Sequence, residues 1–264
     1  MDRHTSEHAE KPASEPSRQL CNPIVELRQY TLHPGQRDVL IELFERVLLD
    51  PQEAMGATLI GQFRDVEDPN RFVWLRGFPD MDKRLAMLQA FYGGSLWQEH
   101  RAEANATLID SDNVLLLRPA RPTSGFSLDP TDRPPPGALE IPAGLVVATI
   151  LYFETSPQTS FLTFFEDTLA PALTRNGASI LSYFVTEESA NTFPALPVRE
   201  GERVFVWFSG FRDQAAYHEH VAALARFREW YDQMWEPMRP RLKAAPEVLQ
   251  LAPTARSLVR GESR

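Results

Sequence analysis

A chain of 264 residues, 43% of them hydrophobic, is long enough for one large domain or two modest ones. Its formal charge of −9 argues against nucleic acid or an anionic membrane as partner, because both need a clustered positive face. No apolar run reaches the roughly 18 residues of a membrane helix, and the single cysteine, Cys21, has no internal disulfide partner, so a soluble, cytoplasmic protein is expected.

Residues 1–22 are polar and mixed in charge, lack the apolar core of a secretory signal, and are expected to be a disordered tail. "IVELRQYTL" (24–32) alternates and is rich in β-formers, which predicts a strand. The segment after "PGQ" places Leu40, Leu43, Phe44, Val47 and Leu48 on one helical face. "ATLIGQFRDV" and "RFVWLRGF" predict two strands joined at the turn formers "EDPN". Asp80 can cap a helix that carries Leu85, Leu88 and Phe91 and stops at Gly93-Gly94. A second helical stretch starts at Ser95, and "NVLLLRP" predicts a last strand. The order is β-α-β-β-α-β, a ferredoxin-like unit over residues 23–119.

Composition then changes. Residues 118–144 hold seven of the chain's 22 prolines with no helical or strand period, so residues 120–142 are expected to be an extended, semi-rigid linker. Beyond it the pattern repeats over 143–253, leaving 254–264 as a C-terminal tail. "LVVATILYF" predicts the first strand, Ser156-Pro157 opens a helix with Phe161, Phe164, Phe165 and Leu169, and Asn176-Gly177 ends it. "ASILSYF" (178–184) answers "ATLIGQF" (57–63). "FVWFSGFRD" (205–213) answers "FVWLRGFPD" (72–80), with a hairpin 12 residues longer between the two strands of the second copy. Trp230 answers Trp97, and "EVLQLAP" answers "NVLLLRP". The chain is a tandem duplication. Its strands are apolar on both faces, so the helix-free face of each sheet needs a cover. The fold class expected is α+β, two ferredoxin-like repeats packed face to face as an intramolecular α+β barrel. Assembly of that internal pseudo-dimer into a further homo-oligomer is left open.

"ELRQYTLHPGQRDVLIELFE", "FVWLRGFPDM" and "LWQEHRAEANATLIDSDNVLLLRP" together resemble the NIPSNAP family of the dimeric α+β barrel superfamily, over about residues 24–118 and more loosely over 145–252. The resemblance implies paired ferredoxin-like units. It implies little about reaction, since the wider superfamily holds cofactor-free oxygenases, polyketide cyclases, dehydratases and haem-dependent enzymes. No histidine stands out as a haem ligand, and no cofactor is expected.

The chemistry must therefore come from single residues. Glu26, Arg28 and Tyr30 share one strand face, and a buried charge there must meet a partner, water or ligand. The alternative is a structural Glu26–Arg28 pair with Tyr30 at its rim. Trp97, His100, Arg101 and Ala104 form one helical stripe, with His100 suited to proton transfer and Arg101 to an anionic oxygen. The alternative there is an ordinary half-buried histidine on an amphipathic helix. The repeat weighs between these readings. Matching Tyr152 to Tyr30 puts Ala148 at Glu26 and Ile150 at Arg28, while Gln233 and Met234 fall on His100 and Arg101. The ionisable set exists in one copy only, which points to a working pocket in the N-terminal half, under its helices, with the C-terminal space filled by side chains such as Tyr183 and Met234. Glu26, Tyr30 and His100 are the candidate proton-moving residues. Arg28, Arg101, Trp97, Trp74, Phe72, Tyr92, Arg64 and Arg76 are the candidate substrate-binding ones. His218 and His220 diverge on a predicted helix and do not make a metal site, and no Gly-rich phosphate loop or nucleophile elbow is present. The reading is a cofactor-independent enzyme acting on a small aromatic or oxygenated organic ligand, by isomerisation, cyclisation, dehydration or oxygenation. The alternative is a binding or interaction module without turnover.

Overall fold

The computed structural model describes residues 19–20, 23–226, 236 and 238–261. A two-residue strand β1 (Gln19–Leu20) precedes the first repeat, which runs β2 (Ile24–Leu32), α1 (Arg37–Leu43), a π-helical turn (Phe44–Leu48), α2 (Leu49–Ala54), β3 (Thr58–Asp65), β4 (Arg71–Phe78), α3 (Met81–Gly93), α4 (Ser95–Ala106) and β5 (Leu108–Pro119). A short β6 (Ser127–Leu128) lies in the connector and pairs with β1. The second repeat runs β7 (Leu145–Tyr152), α5 (Thr159–Phe164), a second π-helical turn (Phe165–Leu169), α6 (Ala170–Arg175), β8 (Ser179–Thr186), β9 (Val204–Phe211), α7 (Gln214–Arg226) and β10 (Glu247–Pro253). Local chemistry sets several boundaries as expected. The Asp80 carboxylate accepts from the Lys83 N–H to cap α3. Gly177, at φ +98°, supplies the left-handed residue just after α6. Both π turns fall at the same place in their repeat, so the duplication preserved even this local irregularity.

The expected α+β barrel of two ferredoxin-like repeats is present, and its closure goes further than two stacked faces. All eight long strands form one closed barrel in the order β10-β3-β4-β2-β5-β8-β9-β7. Each repeat's sheet would have two free edges. Pairing β5 with β8 and β10 with β3 removes all four, which leaves the barrel itself without an open edge. The inward faces build one apolar core from both halves, with Val25, Leu27, Val73 and Leu75 meeting Val146, Ile150, Val206 and Phe208. The outward faces carry the helices over two further clusters, one per repeat.

The segments expected as a linker and as a C-terminal tail both pack on the barrel. Phe126 of the connector is buried in the barrel core, with ring centroids 5.5 Å from Phe184 and 5.0 Å from Phe208. Beyond β10, Thr254 N–H donates to Gln62 O (2.9 Å) and Val259 N–H to Ile60 O (3.1 Å), alongside the irregular register of β3 between Leu59 and Gly61. Arg256 anchors the same stretch on Asp50 at 2.6 Å. The expected C-terminal tail is therefore a strap over residues 254–261, held because its N–H groups find β3 carbonyl partners. No helix among the described residues is long and apolar enough to cross a membrane.

Candidate functional site

Strand alternation sends Glu26, Arg28 and Tyr30 outward from the barrel, under the helices of the first repeat. Their neighbours on β4 follow from the register, with Glu26 opposite Arg76, Arg28 opposite Trp74 and Tyr30 opposite Phe72. The Glu26 carboxylate then meets three guanidiniums. Arg76 donates to Oε2 through Nη2 (2.6 Å) and Nε (3.1 Å), Arg28 donates to Oε2 at 3.1 Å, and Arg84 of α3 donates to Oε1 at 2.7 Å. All four side chains are fully buried. Gln52 of α2 accepts from Arg76 at 2.7 Å and donates to Leu48 O, tying the cluster to the end of the π turn. Arg28 Nε donates to the Tyr30 hydroxyl at 3.0 Å, and the Arg28 and Arg76 guanidiniums lie 5.5 and 5.0 Å from the Trp74 ring.

Electrostatics fixes the charge states. Burial alone would raise the Glu26 carboxyl, but the charges of Arg76, Arg28 and Arg84 outweigh it and hold that carboxyl well below its usual range. Burial raises the Tyr30 phenol against the opposing pull of Arg28. With three cations around one anion, the cluster carries an excess of two positive charges away from water. Several of its donors are also unused. Arg28 Nη2, Arg84 Nη2 and Trp74 Nε1 are buried without hydrogen-bond partners, as are both amide atoms of Gln62, which lies directly across from Trp74. Buried polar atoms are normally satisfied, so this concentration on one sheet face calls for a further polar group there.

The long β8–β9 hairpin of the other repeat closes over this site. Arg84 Nη1 donates to Asn191 Oδ1 (3.0 Å) and Thr192 Oγ1 (3.2 Å), and Phe193 stacks on Tyr92 at 5.9 Å. Leu196 packs on the same cluster. The 12 extra residues that set the two copies apart in sequence are part of this cover.

The candidate residues divide accordingly. The structure brings together Glu26, Arg28, Tyr30, Phe72, Trp74, Arg76 and Tyr92, and Trp97 joins their edge through Tyr92 at 5.0 Å. Three stand apart. Arg64 pairs with Asp38 (2.7 Å), His100 Nδ1 lies 3.4 Å from Glu103, and Arg101 is exposed. Among the described residues no hydrogen bond or ion pair links these three to the cluster. Arg84, Gln52, Gln62, Asn191 and Thr192 were not anticipated. Arg84 had a readable signal, because it shares a buried helical stripe with Met87, Leu88 and Phe91. The expectation that Glu26 moves protons does not fit its surroundings. A carboxylate shared by three guanidiniums stays ionised and acts as a fixed counter-charge.

Strand pairing also corrects the repeat alignment by one residue. Trp74 faces Arg28 and Trp207 faces Thr149, so Arg28 corresponds to Thr149 and Glu26 to Val147. Ala148 and Ile150, matched by lettering, point into the barrel core. Arg76 corresponds to Ser209, since Glu26 faces Arg76 and Val147 faces Ser209. The conclusion that the charged set exists once survives the shift. The expected filling of the C-terminal space does not. Val147, Thr149, Leu173, Ser209 and Tyr217 line a cavity of about 430 Å³. Tyr183 is engaged with Glu166 (2.9 Å), while Met234, with Trp230 and Gln233, lies outside the described residues.

With this geometry in hand, the likenesses to known proteins are informative about fold. The NIPSNAP family model matches residues 25–122. No curated protein matches. An anthrone oxidase-like protein superposes with a TM-score of 0.54 at 14% identity, covering 92% of this chain and 97% of its own. A provisionally named monooxygenase from Lactobacillus acidophilus NCFM gives 0.50 at 13%, covering 90% and 98%. Another such protein, from Fusobacterium nucleatum subsp. nucleatum, gives 0.50 at 10%, covering 92% and 98%. At these identities the likeness is one of fold alone. Residues 25–122 are similar to the NIPSNAP family, and the chain has the dimeric α+β barrel fold with both halves of the barrel drawn from one polypeptide.

Proposed function

We propose that the first repeat binds a small oxygenated, aromatic organic molecule through an anionic oxygen and stabilises negative charge that develops there. The observation that carries this reading is the fully buried Arg28–Arg76–Arg84 set around a single carboxylate, with unused donors on Arg28, Arg84 and Trp74. Preorganised donors in a water-poor site stabilise an oxyanion, enolate or phenolate far better than water does. Such stabilisation is the electrostatic half of isomerisation, cyclisation, dehydration and oxygenation alike. The names of the fold neighbours, monooxygenase and anthrone oxidase-like, favour oxygenation among these. In this reading Tyr30 offers a phenol beside Arg28, and Glu26 positions the guanidiniums. His100, one helical turn beyond Trp97, is the proposed proton-moving group.

A second reading is a binding module without turnover. It is favoured by the engagement of every guanidinium with Glu26 and by the separation of His100 from the cluster. Calorimetry with salicylate and with neutral benzamide tests the shared premise. Salicylate is expected to bind, benzamide to bind at least tenfold more weakly, and Arg84→Met to remove the difference. Equal binding of the two compounds would overturn the anion site. A structure solved after incubation with a metabolite extract then separates enzyme from module, because a product or turned-over ligand in the site occurs only in the first.

A further inference from the structure

The helix-covered face of the second repeat is built from the same positions as the arginine cluster, yet it holds a cavity open to one side. Its volume of about 430 Å³ lies within the range of small-molecule sites. Val147, Leu173, Trp207 and Leu224 give it apolar walls, and no Asp, Glu, Lys or Arg is among the described residues lining it. An ionised ligand would enter that space without a counter-charge, which is costly. A neutral, largely apolar occupant fits this lining best.

Among the described residues of the wall, His220 brings a ring nitrogen that no hydrogen-bond donor meets. His220 of α7 is only 5% exposed, and its Nδ1 lies 2.8 Å from Asn176 O. A carbonyl can only accept, so Nδ1 carries the hydrogen, and in the neutral ring Nε2 is left as an acceptor. Burial lowers the imidazole's affinity for a proton, against the contact with Asn176, which keeps that ring neutral near pH 7. Phe211 packs 5.1 Å from the ring and fixes its plane. Among the described residues nothing donates to Nε2. Asn176 itself is held as the C-cap of α6, so the acceptor is preset before any ligand arrives.

We infer that this cavity is a second small-molecule site, taking a neutral, largely apolar ligand that donates one O–H or N–H to His220 Nε2. The Thr149 and Ser209 hydroxyls on the sheet floor supply a second polar point. The site is independent of the anion site in the first repeat and would select a different class of molecule.

The probes are 1-naphthol and naphthalene, which differ by one hydroxyl. Calorimetry on the intact chain is expected to show 1-naphthol binding about 3- to 10-fold more tightly, the worth of one neutral hydrogen bond. His220→Phe keeps a ring in the wall and removes the acceptor, so it should erase the preference while leaving naphthalene affinity within about twofold. In the wild-type chain, 1-naphthol should also move the ¹⁵N resonance of His220 Nε2, a readout that does not depend on any variant folding. An unmoved His220 resonance, a preference that survives His220→Phe, or a preference lost in Arg84→Met would each overturn the proposal.

Discussion

The two helix-covered faces of this barrel share a backbone plan and differ in what fills it. In the first repeat, Glu26, Arg28, Gln52, Arg76 and Arg84 form a charged cluster with no side chain exposed. In the second, Val147, Thr149, Leu173, Ser209 and Tyr217 take those positions and leave a cavity. Aromatic supports are common to both, with Phe44 and Trp74 matched by Phe165 and Trp207 in ring contact at 4.9 and 5.7 Å. The fold therefore needs the aromatics and tolerates either filling. Charge on one side only is a choice made by the site, and it can be challenged at each level.

The largest effect should come from removing one copy altogether. A chain ending at Pro119 exposes the apolar inner face around Val25, Leu27, Val73 and Leu75 together with the β3 and β5 edges. It should aggregate or pair with itself, as size-exclusion chromatography with light scattering will read. A folded, soluble monomer of residues 20–119 would show that the halves do not depend on each other.

Next comes Glu26→Ala, which leaves three guanidiniums buried without a counter-ion and should cost about 3–5 kcal/mol in urea unfolding. Val147→Ala, at the same place in the other repeat, should cost less, about 0.5–1.5 kcal/mol, because only methyl groups are lost. The contrast extends to pH. The folded-state pKa of Glu26 is depressed, so its contribution is complete above the ordinary carboxylate pKa and is lost as pH falls below about 4. Wild type should weaken towards acid more steeply than the Glu26 variant, and parallel pH curves would deny the cluster its electrostatic role.

Phe193→Ala tests the hairpin. It removes a half-buried ring from Tyr92 and should cost about 1–2 kcal/mol. It should also speed phenylglyoxal labelling of Arg84, measured by peptide mass spectrometry, whereas a hairpin that merely connects strands would leave that labelling rate alone.

The smallest change in stability is expected from His100→Gln, under about 1 kcal/mol, since the side chain is partly exposed and, among the described residues, pairs with Glu103 alone. Turnover of a substrate identified from the soaked structure should nevertheless fall by about 10²–10⁴-fold if this histidine moves the proton. A near wild-type rate would remove it from the mechanism.

Much of this architecture was legible because duplication writes the fold twice. Repeated "FVW" strands and the Asp80 cap carry strong local chemistry, and both appear where read. The shift at β7 arose because Tyr30 and Tyr152 share a letter but not a face. Tyr152 looks into the barrel and donates to Glu247, and only pairing with β9 reveals this. Closure through β5–β8 and β10–β3 involves three residue pairs each, too little pattern to see in one dimension. At the site, Glu26, Arg28 and Tyr30 were readable from alternation. Asn191 and Thr192 were not, because they reach Arg84 across 107 and 108 residues of chain. In sequence His220 shows only its two-residue spacing from His218. Its preset acceptor depends on Asn176, 44 residues away.

The seam between β10 and β3 has a consequence for how the protein is made. Residues 251–253 complete β3, yet they leave the ribosome roughly 190 residues after it, a delay of about 10–40 seconds at ordinary translation speed. Throughout that interval the nascent first half presents an open edge and a bare apolar surface, and on a crowded polysome a neighbouring nascent chain offers the same complementary partner. A sibling repeat tethered by about two dozen residues competes at high effective concentration, and proline stiffness limits how far it strays. The connector thus biases each first half towards its own second half, and lengthening it with flexible glycine–serine repeats should raise the yield of strand-exchanged dimers.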